Sequence, residues 1–459
     1  MQAVVPRVMV AGTSSGSGKT TVACGLIYAL MRRGLRVQAC KCGPDYIDPM
    51  FHERVVGAPS RNLDLFLADE NLVREQVAVG AQTSDVTVIE GVMGYYDGIA
   101  QSADASSFDV ARATNTPVLL VVDGRGRALS VAAEILGFLQ FRTPSCIEGV
   151  LLNGVSAGYY PALKATVERE TGISVFGYLP HVKDAHFESR HLGLVSAKEI
   201  ADLQHRVHLI GDTLEQCVDI DALLQIARSA PYLAYDPRVL PASCKDAPLI
   251  AVARDAAFDF CYAATIQMFE ELGARIAYFS PLEDTALPEG TSGLYLCGGY
   301  PELHARRLSE NTSLRVQIRT ALAEGMPAIA ECGGFLYLHE VLEDDSGVPW
   351  PMVGVLPGRA YRSSRLGNFG YVELTAREDG LLAHKGEHLR AHEFHYWKSE
   401  HEGSGYWAQK PQSSRGWDCV VSTPSLHAGF PHLYLYGNPD AAIRFVQACA
   451  AFGRAGGVL

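Results

Sequence analysis

The sequence predicts an α/β protein made of two successive doubly wound parallel sheets, and three observations carry that prediction. Short β-branched runs, apolar on both faces, alternate with helix-length segments from the amino terminus onward. The first of them opens directly into a glycine-rich turn, "GTSSGSGKTT", and a helical pattern. After a proline-dense stretch, "APYLAYDPRVLPASCKDAP", the same alternation starts again.

The first series comprises "RVMVAG" (7–12), "RVQACKCG" (36–43), "VTVIEGVMG" (86–94), "PVLLVVDG" (117–124), "GVLLNGV" (149–155) and "SVFGYLP" (174–180). The second comprises "PLIAVARD" (248–255), "ARIAYFSP" (274–281), "GLYLCGG" (293–299) and "PAIAECGG" (327–334). Prolines at 231, 237, 241 and 248 stop helices and interrupt sheets, which places a junction between them. The expected organisation is a domain over 1–230, a linker over 231–247 and a second domain over 248–459.

Composition excludes several classes of function. A net charge of −12 argues against a nucleic-acid binder, which needs a basic face. No run approaches the roughly 20 apolar residues of a membrane span, and the start "MQAVVPRVMV" lacks a secretory pattern, so a cytoplasmic enzyme is expected. Eleven cysteines, odd in number and without C-x-x-C spacing, fit neither a disulfide framework nor a structural zinc site.

The glycine-rich turn departs from G-x-x-x-x-G-K-[ST], because that rule needs glycine where Thr13 stands. Its place between a strand and a helix still marks a P-loop, since helix N–H groups there have no intrahelical partner and face a polyphosphate. Gly12, Gly16, Gly18, Lys19, Thr20 and Thr21 are the expected ATP contacts, with Lys19 on the β/γ oxygens and Thr20 on Mg²⁺. With Gly12 one place early, the loop resembles the dethiobiotin-synthetase and partition-ATPase superfamily. Partition ATPases usually carry a lysine where Ser14 stands here, so the resemblance implies a ligase-like member.

Ligases of that kind phosphorylate a carboxylate with ATP, so two anions have to meet and cations must neutralise them. The second run ends in "KCGPDYIDPMFH" and the third in "IEGVMGYYDG", which put Lys41, Asp45, Asp48, Glu90 and Asp97 at strand ends, where open α/β sheets bind ligands. Thr20, Asp45 and Glu90 form the expected Mg²⁺ set. Asn153, with "GYLP" (177–180), falls where this superfamily holds adenine.

In the second series, "PAIAECGGFLYLHEVL" sets Cys332 on a strand-to-helix elbow, which exposes a sulfur and lowers its pKa at a helix amino terminus. Backbone N–H groups of Gly333 and of Gly298 and Gly299 in "YLCGGYPE" are the expected oxyanion hole. The base comes from His392, His395 or His432. Class I glutamine amidotransferases place the elbow cysteine first and the histidine near the carboxyl end, which favours His432. Many of them add a glutamate two residues on; here that residue is Tyr434, which leaves a Cys–His dyad or a third member from elsewhere.

Taken in order, "GTSSGSGKTT", "KCGPDYIDP", "SRNLD", "IEGVMGYYDG", "SRHLGL", "GGYPE", "ECGGFLYL", "NFGYVEL" and "HEFHYW" are similar, over nearly the whole chain, to cobyrinic acid a,c-diamide synthases. That resemblance implies a dethiobiotin-synthetase-like domain followed by a flavodoxin-like class I glutaminase domain. It implies ATP, glutamine and Mg²⁺, and a tetrapyrrole, cobyrinic acid, amidated on its a and c side chains through acyl phosphates during cobalamin synthesis. It further implies that Lys41 meets phosphoryl oxygens, that Asp48 orients acceptor or intermediate, and that Arg61, Asp97, Arg190 and His191 serve the anionic substrate. A homodimer is compatible with the family. The rival enzyme reading is nickel-sirohydrochlorin a,c-diamide synthase. A partition-type ATPase switch is opposed by Ser14, the acidic balance and Cys332.

Overall fold

Seven strands build the first sheet: β1 (Arg7–Gly12), β2 (Val37–Cys42), β3 (Ser60–Leu63), β4 (Val86–Glu90), β5 (Val118–Asp123), β6 (Ile147–Asn153) and β7 (Val175–Leu179). They run parallel in the order β3-β2-β4-β1-β5-β6-β7. All residues of β1, β2 and β4 are buried, as a sheet covered on both faces requires. The computed structural model describes residues 1–183, 197–241, 244–363 and 367–456. The chain divides into two compact units, Met1–Arg238 and Val239–Leu459.

Helix α1 (Lys19–Arg32) follows β1 and buries Val22, Leu26, Ile27 and Leu30 along one stripe. Gly34, at φ 82°, turns the chain out of it. β1 lies between β4 and β5, so the loop after it opens where the strand order reverses, the crevice in which such sheets bind ligands. Register sets the level of the chemistry: Glu90 on β4 pairs with Val10 on one side and with Lys41 on the other. The third run, read as 86–94, ends as a strand at Glu90, and "SRNLD" supplies β3, a strand that its mixed composition concealed.

Unit 1 closes on its own amino terminus. Gln2–Ala3 pairs antiparallel with Leu233–Ala234, within the stretch expected to be linker. Arg7 is fully buried, and its guanidinium donates to the backbone carbonyls of Val5, Thr114, Asn115 and Pro231. Burial lowers its pKa to about 10, so the side chain stays charged at neutral pH.

In unit 2, β8 (Leu249–Ala253), β9 (Arg275–Phe279), β10 (Thr291–Leu296) and β11 (Ala328–Glu331) start a sheet in the flavodoxin-like order β9-β8-β10-β11. The chain then builds β12 (Phe369–Ala376), β13 (His388–Phe394), β14 (Tyr406–Gln409) and β15 (Gly416–Cys419). Next, β16 (Val421–Ser422) and β17 (Leu426–Gly429) return to the first sheet, where β17 lies parallel to β11. Finally β18 (His432–Leu433) completes a five-stranded antiparallel sheet, β15-β14-β12-β13-β18. A further four-stranded sheet is formed by 339–343, 349–351, 356–362 and 397–399. The sequence reading left all of 339–433 without strands, because these are short and half exposed. No described helix is long and apolar enough to cross a membrane.

Replacing Arg7 with methionine strips the charged donor from four carbonyls, of which those of Val5 and Thr114 are buried. Each stranded polar group costs about 1–3 kcal/mol, so the unfolding free energy read from the urea midpoint is expected to fall by about 3 kcal/mol or more. A change within about 0.5 kcal/mol would show that other donors satisfy those carbonyls.

Candidate active sites

The turn after β1 is shaped by backbone proximity. A Cβ on Gly12 would lie 2.1 Å from Ser17 Oγ and 2.8 Å from Lys19 Cγ. Gly18, at φ 98°, immediately precedes α1; a Cβ there would lie 2.1 Å from Asn153 Nδ2. Gly16 is also in the left-handed region, and Thr21 sits in the first turn of α1. No side chain caps this helix, and Ser17 Oγ is buried without a hydrogen-bond partner. Lys19 folds back to donate to the Ser14 carbonyl at 2.8 Å. Burial, with Lys41 nearby, brings its pKa down to about 8. An uncapped helix start, an orphaned hydroxyl and a dehydrated ammonium fit a polyphosphate.

Behind the loop lies a buried network centred on Glu90, which is fully buried at the end of β4. Its Oε1 accepts from Thr20 Oγ1 at 2.6 Å and from Lys41 Nζ at 2.9 Å, while Oε2 lies 2.9 Å from His52 Nε2. His52 Nδ1 is 3.1 Å from Ser60 Oγ. Lys41 also contacts Asp48 Oδ2 at 2.5 Å and donates to the Gly91 carbonyl at 3.1 Å. Burial pushes the Glu90 carboxyl up, but Lys41, His52 and Thr20 together hold it below the usual carboxylate range. Burial opposes the Lys41 ammonium, and Asp48 and Glu90 outweigh it, keeping the lysine charged. With two carboxylates on one ammonium, Asp48 is the weaker acid, raised by burial to about 6.

Of the expected Mg²⁺ set, the structure brings together Thr20 and Glu90. Asp45 Oδ1 instead accepts from the N–H groups of Ile47 and Asp48, starting the short helix Ile47–Phe51. Among the described residues no hydrogen bond joins it to Thr20 or Glu90. Glu90 accepts the Thr20 hydroxyl proton, which leaves the lone pairs of that oxygen for another partner. His52 was missed; its signal was its position four residues after Asp48. Cys24, His52 and Glu90 offer ligand atoms within 4.8 Å of one another, but burial keeps the Cys24 thiol protonated.

Three further expected residues make contacts within unit 1. Asn153 Nδ2 donates to the Ser17 carbonyl at 2.8 Å, bracing the cradle, where adenine contact was expected. Asp97 Oδ2 accepts from Gly94 N–H, and Arg61 donates to Gln76 Oε1. Arg190 and His191 lie outside the described residues.

In unit 2, Cys332 stands between β11 and the short helix Gly333–Tyr337 at φ 46°, ψ −101°, a strained conformation for a residue with a side chain. Its N–H donates to the Gly429 carbonyl on β17. The surrounding glycines permit the chain to crowd it: a Cβ on Gly333 would lie 2.8 Å from Gly299 N, and one on Gly298 would lie 2.4 Å from His432 Cε1. The elbow, the Gly298–Gly299 turn and His432 therefore converge. His392 faces His432 across β13 and β18, and His395 stacks on Phe430 with its Nδ1 2.6 Å from the Trp397 carbonyl.

The thiol is not lowered as the elbow alone predicts. Burial pushes it up, Glu302 adds to that, and the Gly333 N–H opposes both without prevailing. Burial, with His392 and His395, holds His432 down at about 3. The resting pair is a neutral thiol and a neutral imidazole. Tyr434 packs edge-on against Tyr262. The carboxyl nearest the histidine is instead Glu331, whose Oε2 lies 3.9 Å from His432 Nδ1. It is fully buried and accepts from Tyr295 Oη–H and Leu433 N–H at 3.0 Å each. Burial raises it to about 8.

These geometries agree with what the chain is similar to. Residues 8–194 match the CobQ/CobB/MinD/ParA nucleotide binding domain, and residues 249–437 match the CobB/CobQ-like glutamine amidotransferase domain. The cobyrinate a,c-diamide synthase of Caldanaerobacter subterraneus subsp. tengcongensis is 40% identical, over 97% of this chain and 99% of that one. Those of Clostridium acetobutylicum and Dehalococcoides mccartyi are 39% and 37% identical, over 94% and 97% of this chain and 98% and 99% of theirs. With a nucleotide-binding domain followed by a glutamine amidotransferase domain, and this identity along nearly its whole length, the chain belongs to the cobyrinate a,c-diamide synthase family of glutamine-dependent ligases.

Proposed function

We propose that this chain amidates the a and c carboxylates of cobyrinic acid, using ATP to form acyl phosphates and glutamine as the source of ammonia. The observation that carries this reading is that one chain holds both a Thr20–Glu90–Lys41 network beneath a phosphate cradle and a strained Cys332 beside His432.

In unit 2, the Cys332 S–H proton passes to the His432 imidazole and the sulfur attacks the side-chain amide carbon of glutamine. Negative charge gathers on the amide oxygen, where the Gly298–Gly299 and Gly333 backbone is placed to receive it. The imidazolium returns its proton to the amide nitrogen, ammonia leaves, and water hydrolyses the thioester to glutamate.

In unit 1, Lys19 leaves the Ser14 carbonyl for the phosphates of ATP, and Lys41 sits beneath the meeting point of phosphoryl group and acceptor carboxylate. Asp48, paired to Lys41, orients the acceptor. Thr20 Oγ1 would hold a magnesium ion with the nucleotide, and the ion would supply further charge neutralisation. The acceptor carboxylate attacks the γ-phosphorus, ADP leaves, and ammonia then displaces phosphate to give the amide.

Mass spectrometry of cobyrinic acid after incubation with the protein, Mg²⁺, ATP and amide-labelled glutamine is expected to show two labelled amides. Cys332→Ala is expected to give none from glutamine and two unlabelled amides from ammonia. Product from nickel sirohydrochlorin but not from cobyrinic acid would move the chain to that pathway.

Thr20→Ala removes the hydroxyl that Glu90 orients. It is expected to lower ATP-dependent amidation with ammonia by about 100-fold or more, as loss of one preorganised polar group in such a site does. Activity within about threefold of wild type would remove Thr20 from the site.

Because His432 is held near 3, its neutral, proton-accepting form is present at every pH above that value. The acid limb of kcat/KM for glutamine is therefore expected below about pH 5, not at the ordinary imidazole value of about 6.5. An acid limb at 6.5 that disappears on removing His432 would refute this.

A further inference from the structure

Glu331 is the residue immediately before the nucleophile, and three contacts fix it beside the histidine. Its Oε1 accepts the N–H of Leu433, the residue that follows His432, at 3.0 Å. Its Oε2 accepts the Tyr295 hydroxyl at 3.0 Å and lies 3.9 Å from His432 Nδ1. The bond to Leu433 ties the carboxyl to the backbone of the strand that carries the histidine, so the carboxyl keeps its place beside that backbone. Two histidines, His392 and His395, also act on this imidazole and oppose its charged form.

We propose that Glu331 is the positioning carboxylate of the glutaminase histidine, taking the Nδ1–H of His432 so that Nε2 is the atom that accepts the Cys332 proton. This rests on the assignment of Cys332 and His432 given above. When the S–H bond breaks, its electron pair stays on sulfur and the proton goes to Nε2; the imidazolium then faces Glu331 across its Nδ1–H. The 3.9 Å separation has to close by about 1 Å to become a hydrogen bond, a tightening that catalytic contacts undergo once substrate is bound. The carboxyl, which burial raises to about 8, accepts the Nδ1–H through a lone pair of Oε2 whether or not it carries its own proton, so the S–H proton is the only one that moves. Third members of such triads act by fixing tautomer and orientation and by stabilising the charged imidazole, and position in sequence is immaterial to that role.

The test is a cycle of variants read by glutamate release in the complete reaction with ATP and cobyrinic acid. Cys332→Ala and His432→Ala are measured first; His432→Ala keeping more than about a tenth of wild-type hydrolysis would overturn the histidine assignment and this proposal with it, and its residual rate is the baseline of the cycle. Glu331→Gln, which keeps the shape and an acceptor for Leu433, is expected to lower kcat about 100-fold with KM for glutamine within about threefold. In the His432→Ala background the same substitution is expected to change kcat by less than twofold, because a positioning residue acts only through its histidine. Equal losses in both backgrounds would make Glu331 a packing residue and overturn the proposal. Independently of folding in the variants, ¹⁵N NMR of histidine-labelled wild type is expected to find His432 as the Nδ1–H tautomer; the Nε2–H tautomer would overturn it.

Discussion

Glu90 is the group around which the first unit is assembled. A carboxylate with no exposure to water is tolerable only if donors replace its hydration, because the desolvation of an unpaired ion costs several kcal/mol. Three side chains supply that replacement, and each comes from a different place: Thr20 from the first turn of α1, Lys41 from the end of β2 and His52 from the segment after it. Satisfying one ion thus fixes the start of the phosphate-facing helix, the end of the neighbouring strand and the loop carrying Asp48. The parallel register that sets Lys41 opposite Glu90 is what makes the arrangement reachable. The same three contacts leave the charged end of Lys41 and the hydroxyl of Thr20 at the strand ends, where the proposed reaction brings a phosphate and a carboxylate together.

Unit 2 places a second glutamate in an equivalent setting, at the end of a central strand and fully buried, and obtains the opposite result. Glu331 has two neutral donors, Tyr295 and Leu433, and no cation in contact, so burial wins and the carboxyl is pushed up to about 8. Glu90 has Lys41 and is held low. The difference is the Lys41 ammonium, with His52 and Thr20 as further donors. It decides that the first unit keeps a fixed charge for binding anions, whereas the second keeps a site with little fixed charge in which charge appears only as the thiol is deprotonated.

The parts of this that the sequence made legible are those with a short-range signature. The strand–glycine–helix unit at 7–32 and the strand–Cys332–Gly–Gly elbow are local patterns, and doubly wound topology follows from the spacing of apolar runs. What escaped was either irregular or long-range. Of the strands between 369 and 433, those after 405 span only two to four residues, and in the longer strand 388–394 a buried Glu393 and an exposed Phe394 break the apolar–polar alternation. His52 meets Glu90 across 38 positions and Glu331 accepts from Leu433 across 102, distances at which no spacing rule speaks. Asp45 shows the converse: an acidic residue in the right place by pattern, which local backbone N–H groups claim first. The thiol pKa failed for a similar reason, since the sequence announces a helix start but not the depth at which the sulfur is buried.

That depth has a consequence for how glutamine hydrolysis begins. With the thiol pushed up and His432 pushed down, moving a proton between them creates two charges in a site that disfavours both. The backbone strain at Cys332 positions the sulfur but does nothing for its ionisation. In the proposed mechanism glutamine changes this balance from within: its amide oxygen becomes the site of negative charge, so the sulfur need not hold the charge alone, and backbone N–H groups of the two glycine turns meet it there. A resting site of neutral partners is thus slow to react with adventitious electrophiles, because the thiolate is the reactive form. Deprotonation and attack are favoured together once an amide carbonyl is in place, and the same burial that suppresses the free thiolate strengthens every hydrogen bond made to the oxyanion.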